Sequence, residues 1–184
     1  MKILGIGFLS ESSVALIENG VIKYAISEER LNRIKNWWGN PYRTIKFVLK
    51  QTNNKIKDID IFATHGLSAI TQDIPSKFYF NKKIEEIKNS GLSSILKKKQ
   101  INFLIKRYKH EIEANKRVGS NIKSLKKKFK NLEIYDHHDA HAASAYFYSG
   151  WKNCYVLTID GWGDNSSSKL YKANNGNLTE ITRT

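Results

Sequence analysis

Residues 14–26 read VALIENGVIKYAI, and this stretch decides the fold. Two apolar runs, 14–17 and 21–26, lie on either side of Asn19-Gly20. An Asn-Gly pair between two such runs is what a two-residue type I′ turn requires, because both turn residues adopt positive φ angles. The stretch therefore predicts an antiparallel β-hairpin.

Other apolar runs predict further strands and helices around this hairpin. The predicted strands are residues 3–7, 59–64, 132–135 and 154–159, with a second hairpin at 166–172 and 178–182 around Asn174-Asn175-Gly176. The predicted helices are one that opens at Pro41, one over 140–148, and two or three segments within 75–130 with breaks at Gly91 and Gly119. Because the run 154–159 is apolar almost throughout, we expect a strand that is covered on both faces.

This order of elements predicts an α/β fold. Three antiparallel strands followed by alternating helices and strands indicate a mixed sheet of the ribonuclease H type. Nucleotide-binding sugar kinases and actin-like ATPases share that plan, although a fold alone does not give a function.

The composition fits one domain with an ordinary core. The chain has 184 residues, 40% of them apolar, which argues against global disorder. No apolar run approaches the ~18 residues that a membrane span needs, and the N-terminus lacks the layout of a signal peptide. The single cysteine, Cys154, excludes an internal disulfide and a cysteine zinc site. We therefore expect a soluble, cytoplasmic protein with no membrane partner.

The net charge of +14 is concentrated in one segment. Residues 66–131 hold 17 Lys and Arg against 5 Asp and Glu, whereas the rest of the chain holds 14 against 12. Lysine outnumbers arginine 25 to 6. A phosphate-binding surface more often uses arginine, whose guanidinium binds phosphate with two hydrogen bonds, so this ratio argues against such a surface. We interpret 66–131 as a basic helical insertion with a solvated charged face, and an anionic partner such as a nucleic acid is the alternative. We expect residues 75–130 to lie outside the core and to be more mobile than it.

The first motif with candidate chemistry is DHHDAHAASA, residues 136–145. If a helix begins here, His137 and His141 are four residues apart, so their rings lie on one face and can converge on an ion. Neutral imidazole pairs suit zinc, iron, manganese or nickel, with a carboxylate or water completing the shell. The alternative is a helix start at which the histidines only cap the backbone.

The second motif is TIDGWGD, residues 158–164. It places Asp160 at the end of a predicted strand, followed by Gly161 and Gly163. That order puts a carboxylate in a cleft beside backbone that can approach a phosphate. An ordinary tight turn is the alternative, since Asp-Gly is a common turn pair.

The third motif is SEERLNRIK, residues 27–35. Its cations, Arg30, Arg33 and Lys35, either bind a phosphate or carboxylate or form an ordinary solvated helix face.

Together these motifs resemble a known family. The matching stretches, in the family's order, are EERLNRIK at 28–35, Pro41, HHDAHAASA at 137–145 and LTIDGWGD at 157–164. The chain looks like the N-terminal part of the carbamoyltransferases that include nodulation and antibiotic-tailoring O-carbamoyltransferases. The resemblance covers residues 2–65 and 132–182.

The resemblance implies an actin-like domain related to the enzymes that attach threonylcarbamoyl to transfer RNA. A second domain forms carbamoyl-adenylate from carbamoyl phosphate and ATP, and the first passes the carbamoyl group to a hydroxyl or amine of a small-molecule acceptor, such as a sugar or a natural product. It further implies that His137, His141 and Asp160 bind a divalent transition metal, iron(II). The other assigned roles are cofactor binding for Gly161, Gly163 and Asp164, and substrate binding for Arg30, Arg33 and Lys35.

The chain departs from the family pattern in the loop FLSESS, residues 8–13. The family carries a histidine there, and this chain has Leu9 or Ser10 in that place. We assign Ser10 and Glu11 as the catalytic loop residues, with Glu11 as the candidate proton acceptor because a serine hydroxyl is a poor general base at neutral pH.

We expect the remaining parts of the enzyme in a C-terminal region or a partner chain. These parts are a further metal carboxylate, most of the nucleotide cleft and the adenylate-forming domain, so the chain would hold a partial domain. Two alternatives stay open. One is a non-catalytic or truncated derivative that acts as a binding or regulatory module, and the other is a lysine-rich nucleic-acid binder.

Overall fold

The computed structural model of the chain describes residues 1–9, 11–67, 69 and 77–184, and Ser10 lies outside these described residues. A first sheet has the strand order β3-β2-β1-β4-β5. Its strands are β1 (Lys2–Gly7), β2 (Ser13–Glu18), β3 (Val21–Ser27), β4 (Ile61–His65) and β5 (Leu132–Tyr135). The β1–β2 and β2–β3 pairs are antiparallel, whereas β4 is parallel to both β1 and β5. This mixed order is the ribonuclease H type that the sequence predicted, so the predicted fold class is confirmed.

The predicted hairpin is formed by β2 and β3. Asn19 and Gly20 have φ angles of 50° and 79°, as a type I′ turn requires. Glu18 pairs with Val21 directly across this turn, which sets the register of the two strands. The hairpin prediction is confirmed.

The helices follow the predicted order, with one difference. They are α1 (Glu29–Asn32), α2 (Tyr42–Gln51), α3 (Lys77–Lys88), α4 (Ser94–Lys128) and α5 (His137–Ser149). Gly91 separates α3 from α4, but Gly119 lies inside α4 and does not break it. The predicted break at Gly119 was therefore wrong, because one helical glycine costs only about 1 kcal/mol and packing offsets that cost. In the described part of the chain, no helix combines the length and apolar composition that crossing a bilayer requires.

The main core joins one face of the first sheet to α2 and to the end of α4. It contains the alternating strand residues Leu4, Ile6, Val14, Leu16 and Phe62, the α2 residues Ile45, Val48 and Leu49, and Val118, Ile122, Leu125 and Phe129 from α4 and its C-cap. The spacing of the α4 residues by three and four positions places them on one helix face. The expectation that all of 75–130 lies outside the core is therefore wrong for the last turns of α4.

A second sheet follows α5. It contains β6 (Asn153–Gly163), β7 (Ser166–Asn174) and β8 (Asn177–Arg183), antiparallel and in sequence order. Helix α5 covers one face of this sheet and shares a buried cluster with it: Ala142, Tyr146, Val156, Tyr171 and Ala173.

The other face of β6 is open in the described chain. Tyr155, Leu157 and Ile159 are 68%, 60% and 77% exposed. The expectation that this strand is covered on both faces is therefore wrong within these residues. Apolar residues occupy both faces of β6, and α5 covers only one of these faces.

The second sheet repeats the strand order with which the chain begins. In each case three successive strands are antiparallel, and an Asn-Gly turn joins the second strand to the third. Asn175 and Gly176 have φ angles of 45° and 89°, so they form the same type of turn as Asn19-Gly20. The sequence showed no repeat, because the two copies share only this turn and a pattern of apolar residues.

Glu28 fixes the start of α2 to the first sheet. Its side chain is 3% exposed, and its Oε2 atom accepts hydrogen bonds from the Thr44 backbone N–H at 2.8 Å and the Thr44 hydroxyl at 2.7 Å. The backbone N–H of Glu28 donates to the carbonyl of Ser12 at 2.8 Å. The sequence interpretation of this motif considered only its cations and missed this buried acid.

We expect Glu28→Ala to lower the free energy of unfolding by about 2–4 kcal/mol, because it leaves two buried donors of Thr44 without an acceptor and opens a cavity. Chemical denaturation measures the loss. Glu85→Ala, at an exposed ion pair on α3, is the control and should leave the midpoint unchanged. Equal midpoints for Glu28→Ala and the wild type would contradict this role.

Candidate metal centre

Asp136 determines where α5 begins. Its Oδ1 atom accepts hydrogen bonds from the backbone N–H groups of His138 at 2.8 Å and Asp139 at 3.2 Å, as an N-cap does. The helix therefore starts at His137, three residues before the predicted start at 140. The two histidines of the first motif, His137 and His141, consequently lie one turn apart on one helix.

His137, His141 and Asp160 converge, and we call them the metal trio. The Nε2 atom of His137 lies 2.6 Å from Oδ2 of Asp160 and 3.1 Å from Nε2 of His141. The third distance, from Nε2 of His141 to Oδ2 of Asp160, is 3.6 Å. The structure thus brings two residues of α5 and one residue of β6 to a single point.

The trio fits a divalent transition metal. Ligand atoms ~2.1 Å from an ion in tetrahedral or octahedral geometry lie ~3.0–3.4 Å from one another. The distances of 2.6–3.6 Å bracket that range. Two Nε2 atoms that face each other need either a shared proton or an ion between them. Two imidazoles and one carboxylate form a ligand set suited to zinc, iron or manganese.

The electrostatics of Asp160 and His141 favour the protonation states that bind a metal. The hydrogen bond from His137, with help from the backbone N–H of Gly161, lowers the pKa of Asp160. Desolvation, followed by the charge of His137, lowers the pKa of His141. An ionised carboxylate and a neutral imidazole are the forms that coordinate a metal ion.

Gly163 makes room for the ring of His137. A Cβ atom at position 163 would lie 2.1 Å from Cδ2 and 2.5 Å from Cγ of His137, closer than any real contact. A Cβ atom at Gly161 would meet nothing within 4 Å. The sequence assigned both glycines to phosphate approach. That role stays a prediction, and the contact with His137 is an additional constraint on Gly163 alone.

Asp164 joins three separate segments. Its Oδ2 atom accepts hydrogen bonds from the backbone N–H groups of His137 at 2.7 Å and Leu67 at 3.2 Å. Asp164 and Asn165 have φ angles of 46° and 66° and form the turn between β6 and β7. The turn is therefore not at Asp160-Gly161, and the strand register shifts between Ile159 and Gly163 instead. The predicted cofactor-binding role of Asp164 stays a prediction.

His138 has a different environment from the other two histidines. It is fully buried, with Nδ1 2.8 Å from the Thr158 hydroxyl and Nε2 3.1 Å from the carbonyl of Ser166. Because a carbonyl only accepts, Nε2 of His138 carries the proton. This ring therefore packs α5 against the second sheet and lies on a different face of the helix from the trio.

His65 is a further histidine beside the trio that the sequence interpretation missed. Its ring stacks on Phe8 at 4.9 Å and lies edge to face with His137 at 5.6 Å. Burial, followed by the charge of His137, lowers the pKa of His65 to about 4. The sequence could have indicated His65, because it lies at the carboxyl end of β4 and side chains in that position line the clefts of α/β sheets.

Four other predicted site residues, all within the described part of the chain, are exposed. Glu11 has a φ angle of 63° and lies between β1 and β2, while Arg30, Arg33 and Lys35 follow β3. Arg30 pairs with Glu29 at 3.8 Å. None of their described contacts joins them to the trio, so the catalytic role of Glu11 and the substrate-binding roles of the three cations stay predictions, as does the role of Ser10.

A cleft of about 900 Å³ lies between the open face of the first sheet and α5. The trio itself does not line the cleft, but His65, whose ring contacts that of His137, does. Small and apolar side chains line most of it, among them Ile3, Ala15, Ala63, Ala143 and Phe147. His65 contributes at the side of the trio, and Asp139 and Glu180 form a polar wall. The volume is that of a small-molecule site.

Known proteins resemble this chain over nearly its whole length. The family described as "Carbamoyltransferase N-terminus" matches residues 2–183. The nodulation protein NolNO of Sinorhizobium fredii is 28% identical over 165 residues, which are 89% of this chain and 21% of that protein. The uncharacterized protein sll1178 of Synechocystis is 27% identical over 179 residues, which are 96% of this chain and 28% of that protein.

Among solved structures, YeaZ from Pseudomonas aeruginosa aligns with a TM-score of 0.46 and 13% sequence identity, over 100% of this chain and 68% of that chain. The chain spans 21% and 28% of the lengths of the two curated relatives. Because the family match runs from residue 2 to residue 183, this chain belongs to the family of carbamoyltransferase N-terminal regions.

Proposed function

We propose that the chain is the metal-binding part of an enzyme that carbamoylates a small molecule. The carbamoyl group comes from carbamoyl phosphate by way of carbamoyl-adenylate and passes to a hydroxyl or amine of the acceptor, such as a sugar or a natural product. The observation that supports this proposal most is the convergence of His137, His141 and Asp160 beside a cleft, in a chain of this family. Family membership supports carbamoyl transfer in general, and the donor, the adenylate and the metal are parts of the proposal.

The proposed ion is divalent, with iron(II) as the first candidate, and the metal trio would hold it. When bound, such an ion acts as a Lewis acid toward a carbonyl or phosphoryl oxygen. Three protein ligands leave coordination positions open for a substrate, as catalytic metal sites require.

The chain's own residues would orient the reactants. Gly163 and Asp160 fix the ring of His137, and the cleft admits an acceptor next to it. In the transfer, the acceptor oxygen or nitrogen bonds to the carbamoyl carbon, the bond from that carbon to the adenylate oxygen breaks, and the acceptor proton leaves. We assign Glu11 as the proton acceptor and the open backbone at Gly161 to the adenylate phosphate.

The remaining assignments concern charge and partners. Arg30, Arg33 and Lys35 are exposed and would neutralise negative charge on the donor. We assign formation of the adenylate from ATP to another region of the enzyme or to a partner chain, because the relatives are several times longer than this chain.

We expect the chain to bind about one divalent ion, because the trio offers one converged set of ligands. Elemental analysis after dialysis against iron(II) or cobalt(II), without an affinity tag, measures the stoichiometry. The double variant His137→Ala, His141→Ala should lose the ion, whereas His110→Ala, on the exposed surface of α4, should retain it. Equal metal content in the double variant and the wild type would contradict the proposed metal centre.

We expect Gly163→Ala to weaken metal binding at least tenfold, because its Cβ atom would displace the ring of His137. Gly161→Ala is the matched control, since its Cβ atom meets nothing within 4 Å. Cobalt(II) titration of both variants measures the difference. Similar affinities for the two variants would show that the ring position of His137 does not determine binding.

We expect the 184-residue chain to yield no carbamoylated product when it is incubated with carbamoyl phosphate, ATP, iron(II) and a panel of amino-sugar and hydroxylated acceptors. Product analysis by mass spectrometry tests this expectation. ATP-dependent product that disappears in His137→Ala would show that the chain is sufficient for the whole reaction. That result would contradict our proposal that another region forms the adenylate.

A further inference from the structure

We infer that Lys169 is a positioning residue of the metal centre: its buried ammonium holds the first turn of α5 against the second sheet, so that His137 and His141 face Asp160. The inference rests on the proposed metal function, because it concerns the geometry of the same three ligands. Lys169 lies on β7, and neither the sequence motifs nor the family resemblance included it.

Lys169 is a buried cation surrounded by carboxylates. It is 3% exposed, and its Nζ atom lies 2.9 Å from Asp136, 3.3 Å from Asp139 and 3.2 Å from Glu180. Desolvation opposes its charge, but the hydrogen bonds to Asp136 and Glu180, and the charges of Asp136 and Asp139, outweigh that effect and raise the pKa of Lys169. The side chain is therefore an ammonium ion with three acceptors, which match its three donors.

Two of these carboxylates belong to the start of α5. Asp136 is the N-cap, and the same Oδ1 atom that accepts from His138 and Asp139 contacts the ammonium of Lys169. Asp139 lies in the first turn and also accepts a hydrogen bond of 2.6 Å from the Tyr171 hydroxyl. The ammonium thus holds both ends of the first helical turn.

Lys169 is also connected to Asp160, through the pairing of strands β6 and β7. In the β6–β7 pair Lys169 lies opposite Thr158, two residues before Asp160. The side chain therefore connects the helix that carries two of the metal ligands to the strand pair that carries the third. None of the described contacts of Lys169 is with the trio itself, so its effect on the metal is exerted through the position of the helix.

Removing the ammonium would leave Asp136, Asp139 and Glu180 close together without the cation between them. Their repulsion and the cost of the unpaired buried charge would move the first turn of α5. Because His137 and His141 lie on α5 and Asp160 lies on β6, such a shift would change the distances of 2.6–3.6 Å that separate the three ligand atoms. Metal sites lose affinity when their supporting residues allow displacements of about 1 Å.

The experiment compares Lys169→Met, Lys169→Arg and Glu28→Ala in the full chain by cobalt(II) titration and by the visible absorption of bound cobalt, well below the unfolding temperature. We expect Lys169→Met to bind cobalt at least tenfold more weakly and with an altered spectrum. Lys169→Arg should restore most of the affinity, because it retains the charge and the donors. Glu28→Ala, which destabilises the chain at the first sheet, should retain the affinity and the spectrum of the wild type.

A second measurement does not depend on the metal. Side-chain nitrogen NMR of His137 in the metal-free chain reports its hydrogen bond to Asp160, and Lys169→Met should change this signal while Glu28→Ala should not. If the wild type binds no cobalt, the proposed metal function fails, and the His137 signal alone then decides the role of Lys169. If Lys169→Met does not fold, Lys169→Gln takes its place.

Two results would overturn the inference. One is a Lys169→Met variant with the affinity, the cobalt spectrum and the His137 signal of the wild type. The other is an equal loss of affinity in Lys169→Met and Glu28→Ala, which would reflect general destabilisation and no positioning by Lys169.

Discussion

The docking of the first turn of α5 onto the second sheet is the interaction on which the candidate metal centre depends. His138 fills the interface and has partners on both ring nitrogens, Thr158 and Ser166. The backbone N–H of His137 donates to Asp164. Because a buried polar group without a partner costs about 1–3 kcal/mol, these contacts define one orientation of the helix. That orientation places two imidazoles at the carboxylate of Asp160.

The same docking connects the two sheets. Asp164 accepts from Leu67, which follows the end of β4, and from the start of α5. His65, also at the end of β4, contacts Phe8 and His137. The cleft beside the trio therefore has one wall from each half of the chain. A change at either wall alters the surroundings of the trio without removing any of its three ligands.

Local sequence patterns predicted the elements of this structure well. Both Asn-Gly hairpins, α2 after Pro41 and the strand β5 follow from spacing and turn chemistry within about ten residues. The i and i+4 histidines also needed only local information, and the family resemblance supplied Asp160 as their partner. These features depend on neighbours in the chain, which a sequence displays directly.

The sequence-based predictions missed features that depend on distant residues, or predicted them wrongly. Lys169 looks like an ordinary surface lysine of a β-strand, because its carboxylate partners on α5 lie about thirty positions earlier. The buried role of Glu28 depends on Thr44, and the ring of His137 gives Gly163 a constraint that no local pattern shows. The continuity of α4 through Gly119 likewise depends on packing of Val118 and Ile122 into the core.

The most direct test of the account is anomalous diffraction at the cobalt edge from crystals of the chain grown with cobalt(II). We predict one strong anomalous peak within coordination distance of Nε2 of His137, Nε2 of His141 and a carboxylate oxygen of Asp160. The peak should have no counterpart in crystals of the His137→Ala variant. A chain that binds cobalt with its peak elsewhere, or crystals with no peak between these three residues, would contradict the account.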